Sequence, residues 1–153
     1  MQGIGDRSAR LARKVIDSHY VEAMLLADEA RGYFEQAGRE DRDGLDPALR
    51  VTFACESLKV TTRLMHVIAW LLTQRAVEAG ELAPVDALHP TRRLGPPPES
   101  EPTSVRQIPP GAQVVIEASI DLFARIARLE LAMAEKGAQH PVQALHQRLA
   151  QAF

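Results

Sequence analysis

The sequence predicts an all-α protein: an antiparallel three-helix bundle with a short C-terminal helix and a long proline-rich linker between helices 2 and 3. Three observations predict it. Apolar residues recur with a helical period over three long stretches. Aromatics make up only 5% of the chain while alanine is common, which suits closely packed helices. Eight of the 10 prolines fall between residues 81 and 110, so that segment separates the helices. The 153 residues suit a single domain, 1–153, large enough to bury a core.

The first helix is expected over about 8–36. Ala12, Ile16, Tyr20, Ala23, Ala27, Ala30 and Phe34 share one side, and Asp17, Glu22, Asp28, Glu29 and Glu35 lie away from it. The run Ala37-Gly38-Arg39-Glu40-Asp41-Arg42-Asp43-Gly44 has two glycines, many charges and no apolar period, which predicts a loop. Asp46 is placed to cap the second helix, and Pro47 suits its first position, where no N–H is needed. Helix formers continue to Ala79, and Gly80 is the expected stop, giving a helix over 47–79.

Proline density in the linker, 81–110, forbids a continuous helix and favours extended, solvated backbone. It reads as a tether along the bundle, with Arg92-Arg93-Leu94 as the segment to test for docking. The third helix is expected over 112–136, with Ile116, Ile120, Phe123, Ala127 and Ala134 inward and Gly137 at its end. Pro141 starts the last helix, 141–152, whose Val142, Leu145 and Leu149 are placed to fold back on the bundle.

The net charge of −2 supplies no positive field for nucleic acid or anionic lipid. The first residues lack the apolar core of a signal peptide, and the longest nearly apolar run, Leu64 to Leu72, is too short to span a membrane. Cys55 is the single cysteine, so an intrachain disulfide is excluded and a reducing compartment fits.

The second helix contains the most informative stretch, ESLKVTTRLMHVIAWLLTQRA, residues 56–76. On a helical wheel Phe53, Ala54, Leu58, Val60, Leu64, Met65, Ile68, Leu71 and Leu72 span an arc of roughly 180°, wider than a surface helix needs. Such a helix should touch two others, from its own chain or from a second subunit. The remaining sector carries Thr52, Glu56, Lys59, Arg63, His66, Trp70 and Gln74.

This sector does not read as a reaction centre. Cys55 and His66 lie about 16 Å apart along one helix and cannot pair. Cys55 reads as a small buried thiol. His66 has no second ligand one turn away, so no metal is expected, and no phosphate loop, nucleophile elbow or carboxylate pair marks a catalytic or cofactor site. Glu56, Lys59 and Arg63 read as a solvated face with a weak ion pair. Trp70 either caps the edge of the core or marks an interface, partner surface or dimer seam, because tryptophan and arginine concentrate at binding hot spots. The expected protein-binding surface is therefore Glu56, Lys59, Arg63, His66 and Trp70, with Arg39 and Arg42 in the nearby turn as a second choice.

Glu56-Ser57, Thr61-Thr62-Arg63-Leu64-Met65, Trp70-Leu71-Leu72 and Gln74-Arg75-Ala76, together with the Gly38-Arg39-Glu40 turn, resemble the signature of the alphaproteobacterial RcdA family, the regulators of CtrA degradation. The likeness is best over residues 10–85. It implies a helical homodimer in the cytoplasm, recruited to the cell pole. It also implies a non-enzymatic adaptor without cofactors, which joins ClpX and a receiver-domain response regulator to degradation cargo such as CtrA. A second reading, of another class, is a structural helical dimerisation module with no proteolytic partner. An enzyme using Cys55 with a histidine brought by the fold is a third. A helix-turn-helix DNA binder is disfavoured by the acidic balance and the absence of a short helix pair.

Overall fold

The computed structural model describes residues 2–152, and all of their side chains except those of residues 2, 137–144 and 146–148. No strand forms among the described residues. The elements in order are α1 (Gln2–Gly32), a π-helical turn (Tyr33–Ala37), α2 (Gly38–Asp43), α3 (Pro47–Glu78), α4 (Pro84–Ala87), a 3₁₀ turn (Pro90–Arg92), α5 (Pro102–Val105) and α6 (Pro110–Ala152). The chain divides into two compact units, residues 1–123 and 124–153.

In the first unit α1 and α3 lie side by side and antiparallel. Asp17 and Tyr20 near the middle of α1 meet Arg75 near the end of α3: Arg75 Nε is 3.4 Å from Asp17 Oδ1, and its guanidinium sits 4.5 Å above the Tyr20 ring. At the opposite end Phe34 packs edge-on against Phe53 with ring centres 5.5 Å apart. Ile16, Ala23, Leu26 and Ala30 form the buried stripe of α1. Ala12, expected inside, is exposed.

The expected loop at 37–44 is instead helical up to Asp43. Gly44 sits in the turn that ends the helix, but Gly38 permits close approach rather than a turn. Gly38 has ordinary helical angles, and its N–H reaches the Tyr33 carbonyl five residues back, the bond of a π turn. A Cβ on Gly38 would lie 2.8 Å from that carbonyl oxygen. The Tyr33 ring fills the space and also lies over Gly111 at the start of α6, where a Cβ would come within 2.5 Å of it.

Pro47 occupies the first turn of α3 as expected, but Asp46 makes no side-chain cap. Arg50 organises this entry instead, donating to the carbonyls of Leu45 and Asp43. The far end of α3 closes as expected. Gly80 has φ of 75°, and the Glu81 and Gly80 amides return to the carbonyls of Ala76 and Val77.

The linker is not a loose tether. It forms three short helical turns, and Leu94, Val105 and Ile108 are buried. Each of those turns begins at a proline, where the missing N–H costs nothing. The expected end at Gly137 and restart at Pro141 are also corrected, because α6 runs unbroken to Ala152. A single glycine costs a helix only about 1 kcal/mol, which accounts for passage through Gly137; Pro141 costs about 3 kcal/mol in a helix interior, and nothing in the structure explains its place there. Leu145 and Leu149, expected to be packed, are exposed, and Val142 lies outside the described side chains.

Candidate functional site

The buried face of α3 is Phe53, Glu56, Val60, Arg63, Leu64, Val67, Trp70 and Leu71. Their steps of three and four residues trace one side of a helix. Two ionisable residues thus stand inside it: Glu56 is 2% exposed and Arg63 1%. Among the described side chains every buried polar atom has a hydrogen-bond partner, so these charges are accommodated by construction.

The construction is a clasp between α3, the linker and α6. Arg63 Nη2 donates to Ser100 Oγ at 2.6 Å and to the Pro98 carbonyl at 3.0 Å. Arg63 Nη1 donates to Ser119 Oγ at 3.3 Å, and Ser119 donates onward to the Ile116 carbonyl at 2.7 Å. The Ser100 hydroxyl donates to Glu56 Oε2 at 2.5 Å, and Lys59 Nζ stands 3.1 Å from Glu56 Oε1. Burial pushes the Arg63 pKa down, while the Glu56 charge opposes that shift. An arginine remains charged in either case, so the clasp holds a permanent cation. The guanidinium fork suits this position because it can bind oxygens from two elements at once.

The expected binding face is therefore corrected for three residues. Glu56, Arg63 and Trp70 are buried: Glu56 and Arg63 are held inside the clasp, and Trp70 shows only an edge, in the floor of a cleft. Lys59 is half-buried and paired with Glu56; His66 is exposed; Arg39 and Arg42 are exposed on α2, apart from the clasp. The wide apolar arc is only partly buried within this chain. Leu58, Met65 and Leu72 are 67%, 63% and 46% exposed. Cys55, expected to be buried, is exposed.

Two clefts of about 330 Å³ each flank α3. One lies between α3 and the linker and is lined by His66, Ala69, Trp70 and Thr73 together with Thr91 to Gly95. The other is a mostly apolar groove between α1 and α3, with Ala27, Phe34, Leu64, Met65 and Ile68 among its walls. Among the described residues no group of three or more histidines, cysteines or carboxylates is gathered to hold a metal. No described helix is long and apolar enough to cross a membrane.

Ser100 and Ser119 escaped sequence reasoning, since serines in a proline-rich segment and on a helix carry no motif. Val67 gave a usable signal. With Val60, Leu64 and Leu71 it sets a helical period that contains the positions of both Glu56 and Arg63.

Fold and clasp together define a class: an all-helical protein whose proline-rich crossover is fastened to the core through a buried arginine. The chain belongs to the family described as "Protein of unknown function (DUF1465)", whose model matches residues 7–153. Its structure is similar to the crystal structure of RcdA from Caulobacter crescentus CB15, at 33% sequence identity, with 78% of this chain and 91% of that chain covered and a TM-score of 0.65. The resemblance carried by residues 56–76 is thus supported by structure as well as sequence. No curated protein matches the chain.

Proposed function

We propose that the chain is a non-enzymatic cytoplasmic adaptor in regulated proteolysis, a homodimer that joins ClpXP and a receiver-domain response regulator to a cell-cycle regulator such as CtrA. The reading rests on the likeness to RcdA across most of both chains. Self-association has separate physical support. Val51, Leu58, Met65 and Leu72 stand exposed at intervals of seven residues along α3. A seven-residue apolar repeat keeps facing a neighbouring helix over its full length. The same repeat also favours the plainer reading of a dimerisation module without a proteolytic partner.

The test is to mix the purified chain with ClpX, with and without the cognate receiver-domain protein, and to follow complexes by size-exclusion chromatography with light scattering. Receiver-dependent capture on ClpX supports the adaptor. A clean dimer that never joins ClpX leaves the dimerisation module.

A further inference from the structure

The cleft between α3 and the linker carries more chemistry than its position requires. Its base is apolar: Trp70 and Leu94 are 4% and 3% exposed, and Ala69 lies beside them. Its rim is basic, with Arg92 and Arg93 from the linker and His66 from α3, all exposed. None of the residues lining it is acidic, although the chain as a whole has a net charge of −2. A basic trough on a slightly acidic protein is a local feature and not a reflection of its average surface.

We propose that this cleft binds an acidic segment of a partner polypeptide, in extended form, with carboxylates on the arginine rim and an apolar side chain against Trp70 and Leu94. Guanidinium groups match carboxylates two bonds at a time. Each has five N–H donors, so an interaction within the chain does not exhaust either arginine. The threonines contribute shape more than donors. The Thr73 hydroxyl already donates to the Ala69 carbonyl at 2.9 Å, and the Thr91 hydroxyl lies 2.8 Å from His89 Nδ1. The cleft is half open and joins an apolar wall to a charged rim, which suits a chain alternating acidic and apolar residues. Two arginines and a histidine are too few to follow a nucleic-acid backbone with useful affinity.

The linker's placement beside α3 is set by the clasp, because Arg63 holds Pro98 and Ser100 just beyond Gly95. The basic rim is therefore presented by a fixed segment, which lowers the ordering cost of binding. None of this depends on the proteolytic reading. The cleft has the same chemistry whether the partner is degradation cargo or not.

The experiment uses the full chain and a short fluorescein-labelled peptide of alternating glutamate and leucine. Trp70 is the only tryptophan and lines the cleft, so its emission reports occupancy without any substitution. The expected result is saturable anisotropy with a matching change in Trp70 emission, weakened by salt. The double substitution R92E/R93E should weaken binding by roughly tenfold or more. R39E/R42E, the same charge change on α2, should leave it intact. Circular dichroism confirms that both variants stay helical; if R92E/R93E does not, Trp70 emission in the unsubstituted chain decides alone. Equal loss in both variants, saturation without a Trp70 response, equal binding of a glutamine-for-glutamate peptide, or displacement by inorganic phosphate as effective as by unlabelled peptide would overturn the proposal.

Discussion

Arg63 and Ser100, 37 residues apart in sequence, meet at 2.6 Å where the linker crosses α3. The contact fastens a proline-rich segment back onto the helix that precedes it in the chain. Replacing Arg63 with Ala removes the donor to Ser100, Pro98 and Ser119 together and leaves Glu56 buried beside a single lysine. Urea unfolding should show a loss of about 3 kcal/mol. Ser100→Ala removes two links, the bond from Arg63 and the bond to Glu56, and should cost about 2 kcal/mol. The double variant should fall short of the sum, since both substitutions break the same bond. Additive losses would mean the clasp is not a connected unit.

The glycines divide by the space around them. Gly111 faces the Tyr33 ring, which is itself held by Asp41 and flanked by Phe34 and Phe53. Gly111→Ala should therefore destabilise by about 1–3 kcal/mol through overpacking. Gly32 has open space and helical angles, with φ of −59°. Gly32→Ala should stabilise by about 0.5–1 kcal/mol. Thermal melts of the two variants should move in opposite directions.

Tyr33 gives the fold an alkaline limit. Its pKa is pushed up from 10.0 to about 12, first by burial and then by its hydrogen bond to Asp41 and by that carboxylate's charge. The folded state thus favours the protonated phenol. Below pH 10 the phenol is neutral in both states and this contribution is intact; as pH rises through the folded value of about 12 it is lost. Unfolding free energy should therefore decline over that window. In Tyr33→Phe the decline should be smaller. An unchanged slope in the variant would assign the alkaline loss to other groups.

The exposed repeat on α3 makes Cys55 a reporter, since it lies one turn from both Val51 and Leu58 on the same side. Native monomer should react with a mild alkylating agent nearly as fast as unfolded chain. If α3 is the dimer seam, labelling should slow as protein concentration rises, and Leu58→Glu should abolish that protection without loss of helicity. Labelling that stays fast in a dimer detected by light scattering would place the seam elsewhere.

The long helices were legible because they rest on period and punctuation. Pro47 and Gly80 mark the ends of α3 by backbone chemistry that tertiary packing does not override. The inward face of α3 was harder to read, because apolar residues occur all around it and the widest arc is not the buried one. Leu58 and Met65 look like core and are exposed, while Glu56 and Arg63 look like surface and are buried. What decided their placement lies far away in sequence, at Ser100 and Ser119. Helical periodicity carries no information about such partners. The π turn was hidden for a related reason: Gly38 looks like a loop residue until the Tyr33 carbonyl and the Phe53 ring beside it are seen.

The pinning of the linker also meters its length. Leu94 is buried and Pro98 is gripped by Arg63, so only three residues separate two fixed points, and Val105 and Ile108 fix the remainder. From residue 81 to 92 no side chain is buried. An extra residue after Leu94 would push the clasp out of register, whereas one spliced near Leu88 would displace no buried side chain. Relatives of this chain should therefore vary in length before the basic pair and hold their spacing after it. The exposed stretch at Leu88 and His89 is therefore the linker's most tolerant point for an inserted affinity tag.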